Sequence, residues 1–387
     1  MNYLGKANAS DLGELIPLLD DVFFSESTNP RMRFNTILPK LYKPEYSPCE
    51  NNVIVREGGA IKAAIGLYYD TVYSAGKVLT VGGIGNVAVS KDSRGKGYMI
   101  DCMNYAIEEM KALNTDYSVL GGDRQRYGYF GYEPVGFNYR FVVDKTNMKH
   151  VFNADEKKVF RAVEIMPEDK DILGQVGSLY RSAPYHYARS NEKLYDILRS
   201  WDSFPYAVFE GEKFVGYFVS NYERKEVREI EAVNRGDILN MVACVMETLN
   251  ANSVGFNVPP FEIEKAEFLA RICCDSRIHN TEMINIFNFG RFIDAFLSLK
   301  AQSGYAVADG ALTVLIHGVK RDENLEICVN GGKVSVTETD KTPDLELGHN
   351  EAIRMLCALF SQKRTALPAF AQTWFPLHFF AHTLDAV

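Results

Sequence analysis

Between positions 12 and 23 the apolar residues Leu12, Leu15, Ile16, Leu19, Val22 and Phe23 fall at steps of three and four, the period of a helix lying on a core. Ser10 or Asp11 stands before them as a capping residue, and Pro17 predicts a bend. From there to Asn52 the prolines at 30, 39, 44 and 48 break any single element, which predicts a short helix and a loop. The rhythm then shortens. Segments 53–56 and 61–69 read as strands joined across Gly58-Gly59, and 78–89 continues the meander. After a glycine-punctuated loop, Met99, Met103, Ala106, Met110 and Leu113 restore the helical period, and 117–120 reads as another strand.

This order recurs downstream. Segments 207–209 and 214–220 form a hairpin across Glu210-Gly211-Glu212-Lys213, followed by a strand at 227–233, a helix at 237–249 and a strand at 253–258. A polar stretch without periodicity, 145–158, marks a boundary between the two runs. Where the first run has its loop, the second has only Asn234-Arg235-Gly236-Asp237, shorter and with an acid in place of room for an anion. A third run has a turn at Ala308-Asp309-Gly310 and strands at 312–319, 326–329 and 333–337. It then has a helix including Ile353, Leu356, Leu359 and Phe360. The sequence ends on an apolar and aromatic stretch from Trp374 to Val387, whereas chain ends are normally polar, so this one is expected to be buried. The pattern predicts an α/β chain of mixed sheets in three domains, 1–150, 151–297 and 298–387.

Composition narrows the class. The 387 residues are 47% hydrophobic and 24% charged, which suits a globular chain of two or three domains. A formal net charge of -8 argues against a nucleic-acid partner and permits a cationic one. No basic n-region precedes an apolar segment at the start, and no run of about 18 apolar residues occurs, so a cytoplasmic protein without membrane insertion is expected. Seven cysteines form no CxxC pair, and His186, His317, His349, His378 and His382 lack ligand spacing, so neither disulfides nor a metal are expected.

The chemistry concentrates after Val87-Ala88-Val89, at Arg94-Gly95-Lys96-Gly97-Tyr98-Met99. A helix starting here presents unpaired N–H groups and the positive end of its dipole to an anion. Gly95 and Gly97 allow close backbone approach, and Arg94 and Lys96 add charge. The spacing is neither GxxxxGK[ST] nor the three-glycine dinucleotide pattern. It resembles the coenzyme A pyrophosphate loop of the GNAT acetyltransferases, Q/R-x-x-G-x-G/A. Arg94 and Gly97 match, while Met99 stands where a small residue is usual. One helix and one strand later comes Tyr127-Gly128-Tyr129-Phe130-Gly131-Tyr132-Glu133-Pro134. In that superfamily a tyrosine just before such an element protonates the departing thiolate, which implies this role for Tyr127. A phenol of pKa about 10 can donate to a thiolate whose conjugate acid lies near 8.5.

A first unit with this loop, a second that lacks it and a third similar to the sterol-carrier-protein fold together resemble the Eis-type (enhanced intracellular survival) acetyltransferases. The resemblance implies two tandem GNAT-like domains, the second degenerate, and acetyl-CoA as cosubstrate. It implies direct transfer to a primary amine of an aminoglycoside-like, polyamine or lysine acceptor, and homo-oligomers, hexamers among them. It also implies that the terminal carboxylate, here on Val387 rather than on the aromatic residue common in the family, acts as base. Backbone N–H groups of Val87, Ala88 and Val89 can polarise the thioester carbonyl. Two alternatives stand beside this reading: an acyl-CoA or lipid carrier acting through the C-terminal domain, and a ping-pong route through Cys102, whose helical neighbours Met99, Met103 and Ala106 favour packing instead.

Overall fold

A computed structural model describes residues 3–150, 158–280 and 282–387. Most of the first run forms one sheet. Its strands are Tyr3–Lys6, Asn52–Glu57, Ala60–Ser74, Lys77–Val89 and Tyr117–Leu120, antiparallel except for the last pair, which is parallel. One continuous hairpin across Ala75-Gly76 replaces the predicted break at 69–78, because the alternation continues through Val72 and Leu79. The first helix is Leu12–Phe24; the predicted Asp11 stands at its N-cap position without a side-chain cap hydrogen bond, and the turn Ala9–Asp11 that leads into it is capped by Asn8, whose side-chain oxygen accepts from the Ser10 N–H. In the proline-rich stretch single turns form at Phe34–Ile37 and Pro39–Tyr42.

The second sheet repeats the first strand by strand: Arg161–Glu164, Ser203–Glu210, Lys213–Asn221 and Glu226–Ala232 are antiparallel, and Ser253–Val258 lies parallel to the last. The two sheets then exchange strands. Glu282–Ile286, from the end of the second run, inserts into the first sheet between Tyr117–Leu120 and Glu133–Val135. Asn138–Asp144, which precedes the polar stretch, inserts into the second sheet between Ser253–Val258 and Asp275–His279. The sheets therefore do not divide at position 150; the polar stretch opens with a helical turn, Lys145–Met148, and its part at 151–157 lies outside the described residues.

The third sheet orders Lys333–Glu338, Asp322–Asn330, Gly310–His317 and Leu345–Gly348. Its inner residues Leu312, Val314, Ile316, Leu325 and Ile327 pack on the helices Phe289–Gln302 and His349–Cys357. That second helix ends at Cys357, so Leu359 and Phe360 fall outside it, and Phe360 is 91% exposed. The aromatic stretch Trp374 to Leu384 threads between units: Phe379 is fully buried, its ring 5.8 Å from Tyr117, 6.0 Å from Phe292 and 5.4 Å from Phe296.

Candidate active site

The site starts where two parallel strands part. Lys77–Val89 and Tyr117–Leu120 pair from Val81↔Tyr117 to Ile84↔Leu120, and beyond that point the first strand runs on to Val89 without a neighbour on that side. Backbone N–H and C=O groups of 85–89 on this edge therefore face a gap. A bulge falls in the same place: the register with Ala60–Ser74 shifts between Ala64 and Gly66, and Asn86 adopts φ 42°. Asn86 holds the bulge by accepting from the Tyr42 hydroxyl (2.6 Å) and donating to Asn52 (2.9 Å). Such bulges turn a strand and aim its groups locally.

The gap opens at one end onto a cavity of about 540 Å³ lined by Val87, Val89, Arg94, Gly95, Gly97 and Met99, among others. Gly95 and Gly97 have φ of 81° and 86° with open space around them, so it is their backbone conformation that calls for glycine. Gly97 stands at the entry of the helix Tyr98–Ala112, where no side chain caps the first N–H groups. Arg94 is exposed and makes no ion pair among the described residues, whereas Lys96 is paired with Glu57 at 2.7 Å and lies 5.9 Å from the Tyr98 ring. Ala88 points to the opposite face, against the Leu12–Phe24 helix, and offers only its backbone. Cys102 is fully buried in the helix and burial pushes its thiol up to about 12, which disfavours the thiolate that a ping-pong route needs.

At the other end lies a cavity of about 600 Å³ bounded by Gly85, Asn86, Gly122, Tyr127, Trp201 and Val387, among others. Val87 and Arg126 line both cavities, so the two are adjacent. Tyr127 ends the short helix Arg124–Tyr127 and is buried, its ring against Gly122, where a Cβ would come within 2.5 Å of it. Burial raises its pKa and outweighs the lowering by Arg126, so the phenol is protonated at neutral pH. Val387 covers the tail-side face of the long strand: a Cβ on Gly85 would lie 2.6 Å from its carboxyl carbon, and one on Gly83 2.7 Å from its side chain. The two glycines thus make the seat for this residue.

The tail is held there by groups that the sequence did not single out. Lys40 donates to the Leu384 carbonyl at 2.6 Å, and the Trp201 indole donates to the Ala386 carbonyl at 3.2 Å. Arg189, fully buried, forks onto Asp385 (2.8 and 2.8 Å) and Glu229 (2.9 and 2.8 Å), with the Tyr180 ring 3.6 Å from its guanidinium carbon. Two planar bidentate pairs on one guanidinium fix both position and orientation. Burial lowers the pKa of Lys40 to about 7, against the opposing pull of Asp385.

Glu282 was also missed. It lies on the inserted strand, where Met283↔Leu120 puts it opposite Gly121, and alternation puts it on the same sheet face as Gly83, Gly85 and Val387. It lines the same cavity, makes no hydrogen bond or ion pair among the described residues, and burial pushes its pKa up to about 7. Nothing in the sequence marks it, since its place depends on which sheet its strand joins.

Residues 4–135 match the family model described as an acetyltransferase (GNAT) domain. No curated protein sequence matches the chain. Among solved structures, a GCN5-related N-acetyltransferase from Kribbella flavida covers 100% of this chain and 98% of its own at 17% identity and TM-score 0.67. One from Anabaena variabilis covers 99% and 98% at 14% identity and TM-score 0.70. Eis1 from Mycobacterium abscessus covers 100% and 99% at 10% identity and TM-score 0.64. At these identities the likeness is one of fold, extending over the whole chain. The parted strands and the glycine loop at a helix start both lie within the region, residues 4–135, that matches the GNAT acetyltransferase domain model.

Proposed function

We propose that the chain is an acetyl-CoA-dependent N-acetyltransferase that passes the acetyl group directly to a primary amine. The observation that carries this reading is the adjacency of two cavities along one unpaired strand edge, with an uncapped helix start at one end and a buried, protonated phenol at the other. Acetyl-CoA supplies the thioester. The first N–H groups of the Tyr98–Ala112 helix, the loop 94–97 and the unpaired Arg94 suit a pyrophosphate. The free edge at 85–89 suits the amide-bearing arm that follows, and its N–H groups near Val87 polarise the carbonyl.

The acceptor enters from the Tyr127 cavity. The carboxylate of Val387 takes a proton from the ammonium, directly or through water, since an amine of pKa near 10 is otherwise protonated at neutral pH. The neutral amine attacks the carbonyl carbon, the C–N bond forms, the C–S bond breaks, and the Tyr127 hydroxyl protonates the thiolate. Support for a carboxyl group in that role is its seat against Gly85 on the edge strand and the set of donors holding residues 384–386. The second sheet is read as a GNAT-like copy whose own gap is closed: past Val227↔Phe256 its strands part, and the Lys265 ammonium donates to the Ile230 carbonyl there at 2.8 Å. The C-terminal unit is read as sterol-carrier-like, the whole as Eis-type and homo-oligomeric. A lipid carrier would need a tunnel where the inner side chains of the third sheet now pack on two helices.

The test is release of free thiol from acetyl-CoA in the presence of a panel of primary amines. In Tyr127→Phe, loss of a general acid is expected to lower kcat about 100-fold while the dissociation constant for acetyl-CoA stays within about threefold. Unchanged turnover would remove Tyr127 from the mechanism, and no thiol release from the wild type with any amine would overturn the reading itself.

A further inference from the structure

The acceptor cavity contains a cation, Arg228, that forms no ion pair among the described residues, although the charges of Glu226 and Asp202 bear on it. Arg228 is the extra residue of a bulge in the second sheet: Ser220 pairs with Val227 and Val219 with Glu229, so Arg228 has no partner across the ladder. A bulge re-aims the side chain of its extra residue, and this one lines the cavity shared with Tyr127 and Val387. The guanidinium is half-buried and makes no hydrogen bond or ion pair among the described residues. The acids nearest in charge to it are engaged elsewhere: Asp202 accepts from Arg31 at 2.9 Å, and Glu226 accepts from Asn257 and lies 3.9 Å from Arg140. Burial lowers its pKa, as it does for a charge without full compensation. Arg126, the other cation at this cavity, is exposed and also lines the cofactor side.

Across the same cavity stands the unpaired carboxyl group of Glu282, and the two do not pair with each other. Asp123 and Arg126 at this cavity are exposed, whereas the half-buried Arg228 and Glu282 side chains each lack an ion pair among the described residues, an arrangement complementary to a ligand with both of their charges reversed. We propose that the acceptor amine carries an anionic group, a carboxylate or a phosphate, which Arg228 binds while the ammonium end lies toward Glu282 and Val387. This rests on the acetyltransferase reading and narrows it, because an acceptor bearing only ammonium groups would set like charge against Arg228.

The experiment measures kcat/KM by thiol release from acetyl-CoA for ω-amino carboxylic acids of increasing length, each beside its carboxamide, and for aminoalkyl phosphates beside the matching amino alcohols. With at least one chain length, the anionic amine is expected to exceed its neutral partner by about tenfold or more, and the series that does so tells carboxylate from phosphate. In Arg228→Ala this ratio is expected to fall to within about twofold of one, mainly through KM, and in Arg228→Lys to recover in part. Thermal unfolding of both variants reports whether they are folded. Equal rates for anionic and neutral amines in the wild type, or a ratio that survives Arg228→Ala, overturn the proposal and leave the acetyltransferase reading intact; no thiol release with any amine overturns both.

Discussion

Glu282 is a carboxyl group that folding weakens as an acid, and its pH dependence has a definite sign. Its pKa rises from 4.5 in the unfolded chain to about 7 in the folded one. Between those values the folded protein binds more protons than the unfolded one, so its contribution to stability falls as pH rises from about 4.5 to 7 and levels off above. The cost at pH 8 is on the order of 2 kcal/mol after allowance for partial exposure. Glu282→Gln keeps the shape and removes the titration. The difference in Tm between variant and wild type is therefore expected to be near zero at pH 5 and to grow to a few degrees in favour of the variant at pH 8; a difference independent of pH would show that the group is not buried as a carboxyl. Neighbouring groups that titrate or carry charge at this cavity, Asp123, Arg126, Tyr127, Asp202, Arg228, His382 and the Val387 carboxylate, are common to both proteins and cancel to first order. At this scale the helix start after the loop at 94–97 and the strand end before Tyr127 were legible because both depend on residues close in sequence. Glu282 and Arg228 were not, because a charged residue inside a strand reads as a solvated face until the sheet, the register and the bulge are known.

The element that organises the site is the long strand Lys77–Val89, which carries the loop at its end, the unpaired edge along one side and the seat of Val387 on one face. Gly85 makes the seat by lacking a side chain. A Cβ there meets the Val387 carboxyl carbon at 2.6 Å and its oxygen at 2.8 Å, and no other atom outside that residue is among the three nearest, so Gly85→Ala acts on the tail end alone. Its backbone φ lies outside the positive range, so the strand accepts alanine without strain. The expected outcome is a protein with wild-type acetyl-CoA affinity and Tm within a few degrees, but with kcat lowered about tenfold or more, since a displacement of about 1 Å in a catalytic group is costly. Full turnover in Gly85→Ala would mean that the carboxyl group is not the base. The strands and helix around this element were readable from alternation and from the switch of period after the loop. The inserted strands were not: Asn138–Asp144 and Glu282–Ile286 have no local feature that says which sheet they join, because pairing between distant segments is decided by the shape of both sheets. Leu359 and Phe360 failed for a different reason, in that an apolar period continued past the last helical turn.

At the scale of the molecule, the exchange of strands and the docked tail make the candidate site a property of the whole chain. The first sheet is completed by a strand from the second run, and the cavity beside Tyr127 is closed by Trp201, Arg228 and the last residues. Most strands of the three sheets were visible in the repeated order of elements, but the contacts that tie the sheets and the C-terminal stretch together were not, because each joins residues far apart in sequence: Lys40 with Leu384, Arg189 with Glu229 and Asp385. Arg189 is the clearest place to test the coupling. Arg189→Met leaves two carboxylates buried against each other, Glu229 and Asp385, and breaking a buried pair in this way costs about 3–5 kcal/mol. The loss falls on the tail first, since among the described residues each carboxylate keeps one tyrosine hydroxyl, a close one from Tyr217 for Glu229 and a longer one from Tyr180, 3.1 Å, for Asp385. At a temperature well below its unfolding transition the variant is therefore expected to bind acetyl-CoA, to lose most of its turnover and to be cut by protease near residues 382–387 while the rest resists. A variant that loses stability but keeps wild-type kcat, with the tail still protected, would show that Arg189 only supports the fold and that the end of the chain reaches Tyr127 without it.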